Sequence, residues 1–177
     1  MKVSDALPFG NLIAHFLPGA VIVMAGTYFS PSMSELLEGF LRPGVDDNVV
    51  TSGIVLAVIA MVFGLCVDGL RYMTLDAVAF QLHFKGEKTN FFANVRTKDD
   101  LLVYQFLIDN VYRFHQFYGN LFLAGLALLC AKLTIREPFD IKDALLGGLL
   151  IVLLLASFRA YRAGVHVVRT RFSHLSK

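Results

Sequence analysis

The chain has 177 residues, 56% of them hydrophobic and only 17% charged, with a mean hydropathy of +0.62 and a formal net charge of +2. Water-soluble domains carry about 25% charged residues, so this balance argues against one and leaves room for a single compact domain. A net charge this small argues against nucleic acid as a partner of the whole protein.

Four stretches carry no Asp, Glu, Lys or Arg for 15 or more positions: 6–34, 48–67, 114–131 and 144–158. A bilayer core about 30 Å thick takes roughly 20 apolar residues of helix. Without water to satisfy its backbone, such a segment is helical. The pattern predicts an all-α, polytopic membrane helical bundle over 1–177, with about four transmembrane helices at 8–29, 49–70, 114–133 and 143–161. A helical region at 71–113 and a tail at 162–177 are expected to extend outside the membrane.

In chain order, the opening MKVSDALPFG lacks the basic cluster of a signal peptide, with Asp5 in its place; a retained first span is expected. Pro8 suits a helix start. Pro18-Gly19 falls mid-span, where proline removes a backbone hydrogen bond. Two forms fit: one kinked helix, or an interfacial helix over 7–17 bent at Pro18 into a short span. A short amphipathic helix over 34–41, capped by Ser34, precedes the turn residues Arg42-Pro43-Gly44. After the second span, Tyr72, Leu75, Ala79 and Leu82 recur at helical spacing, so the helix continues until the polar stretch 85–90.

Thr97 followed by Lys98-Asp99-Asp100 makes a helix start, and no breaker follows before Pro138. A helix over 97–133 would be about 55 Å long, more than a membrane takes. The last helix is expected to start at Asp143 and run past Arg159 toward Leu175. Its uncharged core of 15 residues is short for a span. Gly147-Gly148, and Gly119 with Gly125, allow close helix approach. Cys66 and Cys130 fall in different spans near opposite faces, beyond the roughly 7 Å reach of a disulfide.

Basic residues flanking spans mark the cytoplasmic side. With the N-terminus inside, that side holds 12 of the 16 basic and seven of the 14 acidic residues, a net +5 against −3 on the other face. Both termini are therefore expected in the cytoplasm, in a bacterial inner membrane.

Several constellations are candidates for function. Arg159, Arg162, His166 and Arg169 are spaced three, four and three residues apart, which puts them on one helix face. They form an anion- or lipid-binding candidate: basic side chains there meet anionic headgroups, and arginine forks suit phosphate. Pairing with Asp76, Asp99, Asp100 or Asp109 is the alternative. Asp68 and Arg71, three apart where the second span ends, make a structural ion pair or a gating element, with Arg113 or Arg159 able to approach. Asp109 and Arg113 are spaced for an ion pair within a helix. His115 follows them in an interfacial aromatic belt. His15 is an ionisable group well inside a predicted span, suited to an interhelical hydrogen bond or a gating role. No metal-ligand spacing, Walker, dinucleotide or Gly-x-Ser-x-Gly motif is present, so neither a metal nor a cofactor is implied.

Arg169 and His174 spell Arg-x4-His, and Arg159 with His166 gives Arg-x6-His. Both resemble the Arg-x4–6-His signature of HEPN ribonucleases, which use paired helices to bring two such motifs together. The likeness covers six to eight residues, and Thr170 only partly matches the polar residue usual after the arginine. It implies a membrane-anchored ribonuclease with Arg169 and His174 as catalytic residues.

Three functions follow as expectations. The foremost is a homo-oligomeric pore or membrane-perturbing effector, of the kind found in bacterial antiviral systems, regulated through its cytoplasmic helices. Catalytic motifs are missing, and one protomer is too small to enclose a channel. The second is a membrane adaptor docking a cytoplasmic protein at 71–113; the third is the ribonuclease. Membrane lipids and further copies of the chain are the expected partners.

Overall fold

The structure, a computed structural model, describes residues 7–41, 48–84, 102, 105, 111–135 and 140–172, and the elements among them are all helical. Helix α1 (Leu7–Thr27) runs unbroken through Pro18. Pro18 is fully buried, so its missing N–H lies within protein, where membrane proteins tolerate it. Helix α2 (Pro31–Leu41) begins on Ser30, whose hydroxyl and carbonyl oxygens accept the Met33 amide at 3.4 and 3.1 Å. Pro31 takes the first helical position, where no N–H is needed. Ser34, the expected cap, lies inside the first turn instead. Met33, Leu36 and Leu37 share one face and pack on Val23, Leu56 and Ala60.

Helix α3 (Asn48–Arg71) does not stop where its apolar run ends. It passes through a π turn (Tyr72–Asp76) into α4 (Ala77–Phe84). Helix α5 (Arg113–Thr134) is entered through π-wound Val111 and Tyr112. Helix α6 (Ile141–Phe172) starts two residues before Asp143. Asp140 is its cap: Asp140 Oδ1 accepts the Asp143 amide at 3.0 Å, and Asp143 Oδ2 accepts the Asp140 amide at 2.9 Å. This reciprocal pair satisfies amides that a helix start leaves free. Most of the expected helix over 97–113 lies outside the described residues.

The helices alternate in direction. Helix α1 packs along α3 and α5, and α5 along α6; α3 also meets α5, and α4 meets α6. Small residues decide how close they come. A Cβ on Gly19 would stand 1.7 Å from the Ala60 carbonyl oxygen, and one on Gly64 1.9 Å from the His15 carbonyl oxygen. The α1 and α3 backbones therefore touch, the kind of contact that associates helices where lipid removes any hydrophobic drive between them. Gly125 receives the Leu150 side chain in the same way, whereas Gly147 and Gly148 face open space.

Three stretches are long and apolar enough to cross a membrane: Val50–Leu82, Arg113–Thr134 and Ile141–Val167; Ala14–Thr27 of α1 is shorter. Much of their apolar surface points outward, including Val50, Ile54, Val58, Val62 and Leu65 on α3 and Leu145, Leu149, Val152 and Leu155 on α6. A continuous exposed apolar belt of this kind marks a surface made for something other than water. The architecture supports a membrane helical bundle.

Candidate functional site

The end of the bundle where α3 runs out and α5 begins holds a cluster of buried polar side chains. It starts with the local pair: Asp68 and Arg71 lie one turn apart on α3, and Arg71 Nη2 is 3.1 Å from Asp68 Oδ1. The π turn adds Asp76. On an α-helix, residues five apart point about 140° away from each other. The wider π turn, with its i→i+5 bonding, brings the Asp76 carboxylate round to Arg71, which donates to it through Nη1. Arg71 Nε completes the set by donating to Asn120 Oδ1 at 3.1 Å.

Helix α5 supplies the facing half. Asn120 Nδ2 donates to Asp68 Oδ1 at 3.1 Å, so this amide bridges the arginine and its acid. Tyr112 donates its hydroxyl to Asp76 Oδ2 at 2.7 Å, and His115 Nε2 is 2.7 Å from Asp76 Oδ1. The Tyr112 ring lies 5.7 Å from the Arg71 guanidinium carbon, within cation–π range. Gly119 makes room: a Cβ there would be 2.9 Å from Arg71 Cδ and 3.2 Å from Ser157 Oγ.

Helix α6 closes the cluster with Ser157 and Tyr161. His115 Nδ1 lies 2.9 Å from the Ser157 carbonyl oxygen and 2.8 Å from its hydroxyl, while that hydroxyl donates to the His115 carbonyl at 3.2 Å. The Tyr161 ring packs edge-on against the imidazole at 5.0 Å. Both ring nitrogens thus lie within hydrogen-bond distance of partners on neighbouring helices. Arg71 and His115 are 1% exposed and Asn120 0%, so the pairing of Arg71 with Asp68 and Asp76 matters: an unanswered charge at this depth is strongly unfavourable.

The chain Ser157–His115–Asp76 has the connectivity of a nucleophile, a base and an orienting acid. Its geometry is not that of a nucleophile, because Ser157 is fully buried and its hydroxyl is already committed to the His115 carbonyl. Among the described residues, no group of three or more His, Cys, Asp or Glu side chains converges as a metal site.

At the opposite end, Lys132 Nζ donates to both Asp143 carboxylate oxygens at 2.8 and 3.0 Å and lies 3.6 Å from Asp140. This ties the α5 end to the α6 cap.

The sequence-derived candidates divide accordingly. Asp68, Arg71 and His115 come together, but Arg71 takes Asp76 and Asn120 as partners. Arg113 is half-buried at the start of α5, and its expected partner Asp109 lies outside the described residues. His15 sits at the α1–α3 contact, its Nδ1 buried without a hydrogen-bond partner among the described residues. Arg159, Arg162 and His166 are exposed on α6. Arg169 is on α6 with its side chain outside the description, and His174 lies beyond the described residues. Sequence reasoning missed Asn120, Ser157 and Tyr112. Their signal was present: Asn120 and Ser157 are uncharged polar residues inside apolar runs, at the depth where Asp68 and Arg71 also lie.

No protein-family description, curated protein or solved structure matches this chain.

Proposed function

We propose that the protein is a four-span integral membrane protein of the bacterial inner membrane, with both termini cytoplasmic, that acts as a homo-oligomeric pore or membrane-perturbing effector. The observation that carries this reading is the Asp68–Arg71–Asp76–His115 junction. Ionisable side chains buried within membrane helices are costly to hold there and mark ion paths, proton relays and gates. This junction joins the end of α3 and the start of α5 to the middle of α6, so loosening it frees the cytoplasmic end of the bundle. A role in antiviral defence rests on this architecture alone.

The test is reconstitution. Purified protein in liposomes is expected to release an entrapped dye or pass ions, and to run in detergent as a closed oligomer. Asp76→Asn should change the leak rate at equal protein insertion. A monomer in vesicles that stay tight, for wild type and variant alike, overturns the proposal.

A further inference from the structure

We infer that the outward face of α6 is a binding surface for an anionic phospholipid, with the acyl chain along Leu149, Val152 and Leu155 and the phosphate at Arg159 and Arg162. The inference rests on the reading of α6 as a membrane-spanning helix.

The face is continuous. Residues 145, 149, 152, 155, 159, 162 and 166 follow one another at steps of three or four and lie on one side of the helix. All are exposed, whereas Leu150, Ser157 and Val165 on the other side are buried. Along this one strip the chemistry changes once. From Leu145 to Leu155 it is Leu or Val; from Arg159 to His166 it is basic. That order, an apolar rod with cations at one end, complements a phospholipid, whose chain is apolar and whose headgroup is anionic.

Among the described residues the side chains of Arg159, Arg162 and His166 make no hydrogen bond or ion pair, in contrast to Arg71, whose donors are taken by Asp68, Asp76 and Asn120. The cluster acids Asp68 and Asp76 are thus committed elsewhere. Arginine side chains left with free donors recognise a phosphate through two parallel N–H bonds. A soluble phosphate would use the arginines but gain nothing from the apolar half of the strip, so the lipid is the occupant that uses all of it.

The experiment uses the full-length protein in nanodiscs of phosphatidylcholine containing a minor fraction of brominated phosphatidylglycerol. Quenching of a fluorophore on a single-cysteine variant bearing its dye at position 163, in a Cys66→Ser, Cys130→Ser background, reports the lipid at α6. Wild-type α6 should enrich the anionic lipid roughly ten- to thirty-fold over its bulk fraction, as two basic groups at an interface do at low salt. R159Q/R162Q should fall to the bulk value, and R159K/R162K should keep part of the enrichment. Enrichment unchanged in R159Q/R162Q overturns the inference; so does loss of quenching on adding millimolar inorganic phosphate, which identifies a soluble anion instead. Flotation of the same samples separates the two claims. Protein that fails to stay with the bilayer defeats the spanning reading, while protein that floats without enrichment defeats only the lipid site.

Discussion

Gly119 lies against the stem of Arg71: a Cβ built on it would stand 2.9 Å from Arg71 Cδ and 3.2 Å from Ser157 Oγ. The guanidinium that organises the polar cluster reaches it only because α5 has no side chain at that point. Gly119→Ala should therefore cost about 1–3 kcal/mol, the range for overfilling a packed interior. Arg71 cannot swing away without abandoning Asp76 and Asn120. Denaturation in mild detergent measures it, and a variant as stable as wild type would show that the guanidinium has slack.

Asp76 answers Arg71 and His115 together and accepts the Tyr112 hydroxyl. Asp76→Asn is expected to cost about 3–5 kcal/mol, because removing one partner leaves a buried charge unanswered. Replacing Arg71 by Met in addition should restore part of the loss, since the two changes act within one network. Strict additivity of the two losses would argue that the residues are energetically independent.

The α1–α3 contact is backbone against backbone, so it has no flexible atom to yield. Gly19→Ala and Gly64→Ala each place a Cβ under 2 Å from a facing carbonyl oxygen and must part the helices. Each should cost more than Gly119→Ala. By contrast Gly148→Ala meets open space and should be neutral or mildly stabilising, by the usual gain of about 1 kcal/mol for alanine over glycine within a helix. Thermal melting of the set ranks them; a Gly64→Ala protein that melts like wild type contradicts the contact.

At the far end, Asp140→Ala removes the oxygen that accepts the Lys142 and Asp143 amides and should cost about 1 kcal/mol, while Asp140→Asn keeps most of the cap. The two variants are compared by chemical unfolding. Equal losses would mean that charge toward Lys132, rather than capping, is what Asp140 supplies.

Burial first and the Asp76 hydrogen bond second push the Tyr112 phenol up from its ordinary 10.0 to about 12. The folded value is the raised one. Its contribution to stability is therefore complete below pH 10 and is lost as the pH rises from about 10 to about 12. Wild type minus Tyr112→Phe stability, followed across that window, isolates the effect; a flat difference would place the phenol in contact with water.

The sequence made the membrane class and the approximate positions of the long helices legible, because charge-free runs and helix length are local properties. The Asp68–Arg71 pair was legible for the same reason. Asp76 was not: α-helical spacing points it away from Arg71, and only the π turn reverses that. Nor could helix spacing place Asn120 and Ser157, since their roles depend on which depths of α5 and α6 lie level with the end of α3. Gly119 was legible as a site of close approach, but what approaches, a buried arginine stem, follows from tertiary packing alone. The same holds for Gly147-Gly148, which share the glycine signal and meet nothing.

The π turn also sets a phase. The stretch Tyr72–Asp76 carries roughly one surplus residue relative to an ordinary α turn, and everything beyond it is rotated by about 100° per residue with respect to α3. Deleting a single residue there would leave every side chain of the cluster in the chain and still dismantle it, by turning Asp76 and the inward side of α4 toward the surroundings. The interval between the guanidinium and the carboxylate is thus as much a part of this site as the two groups themselves.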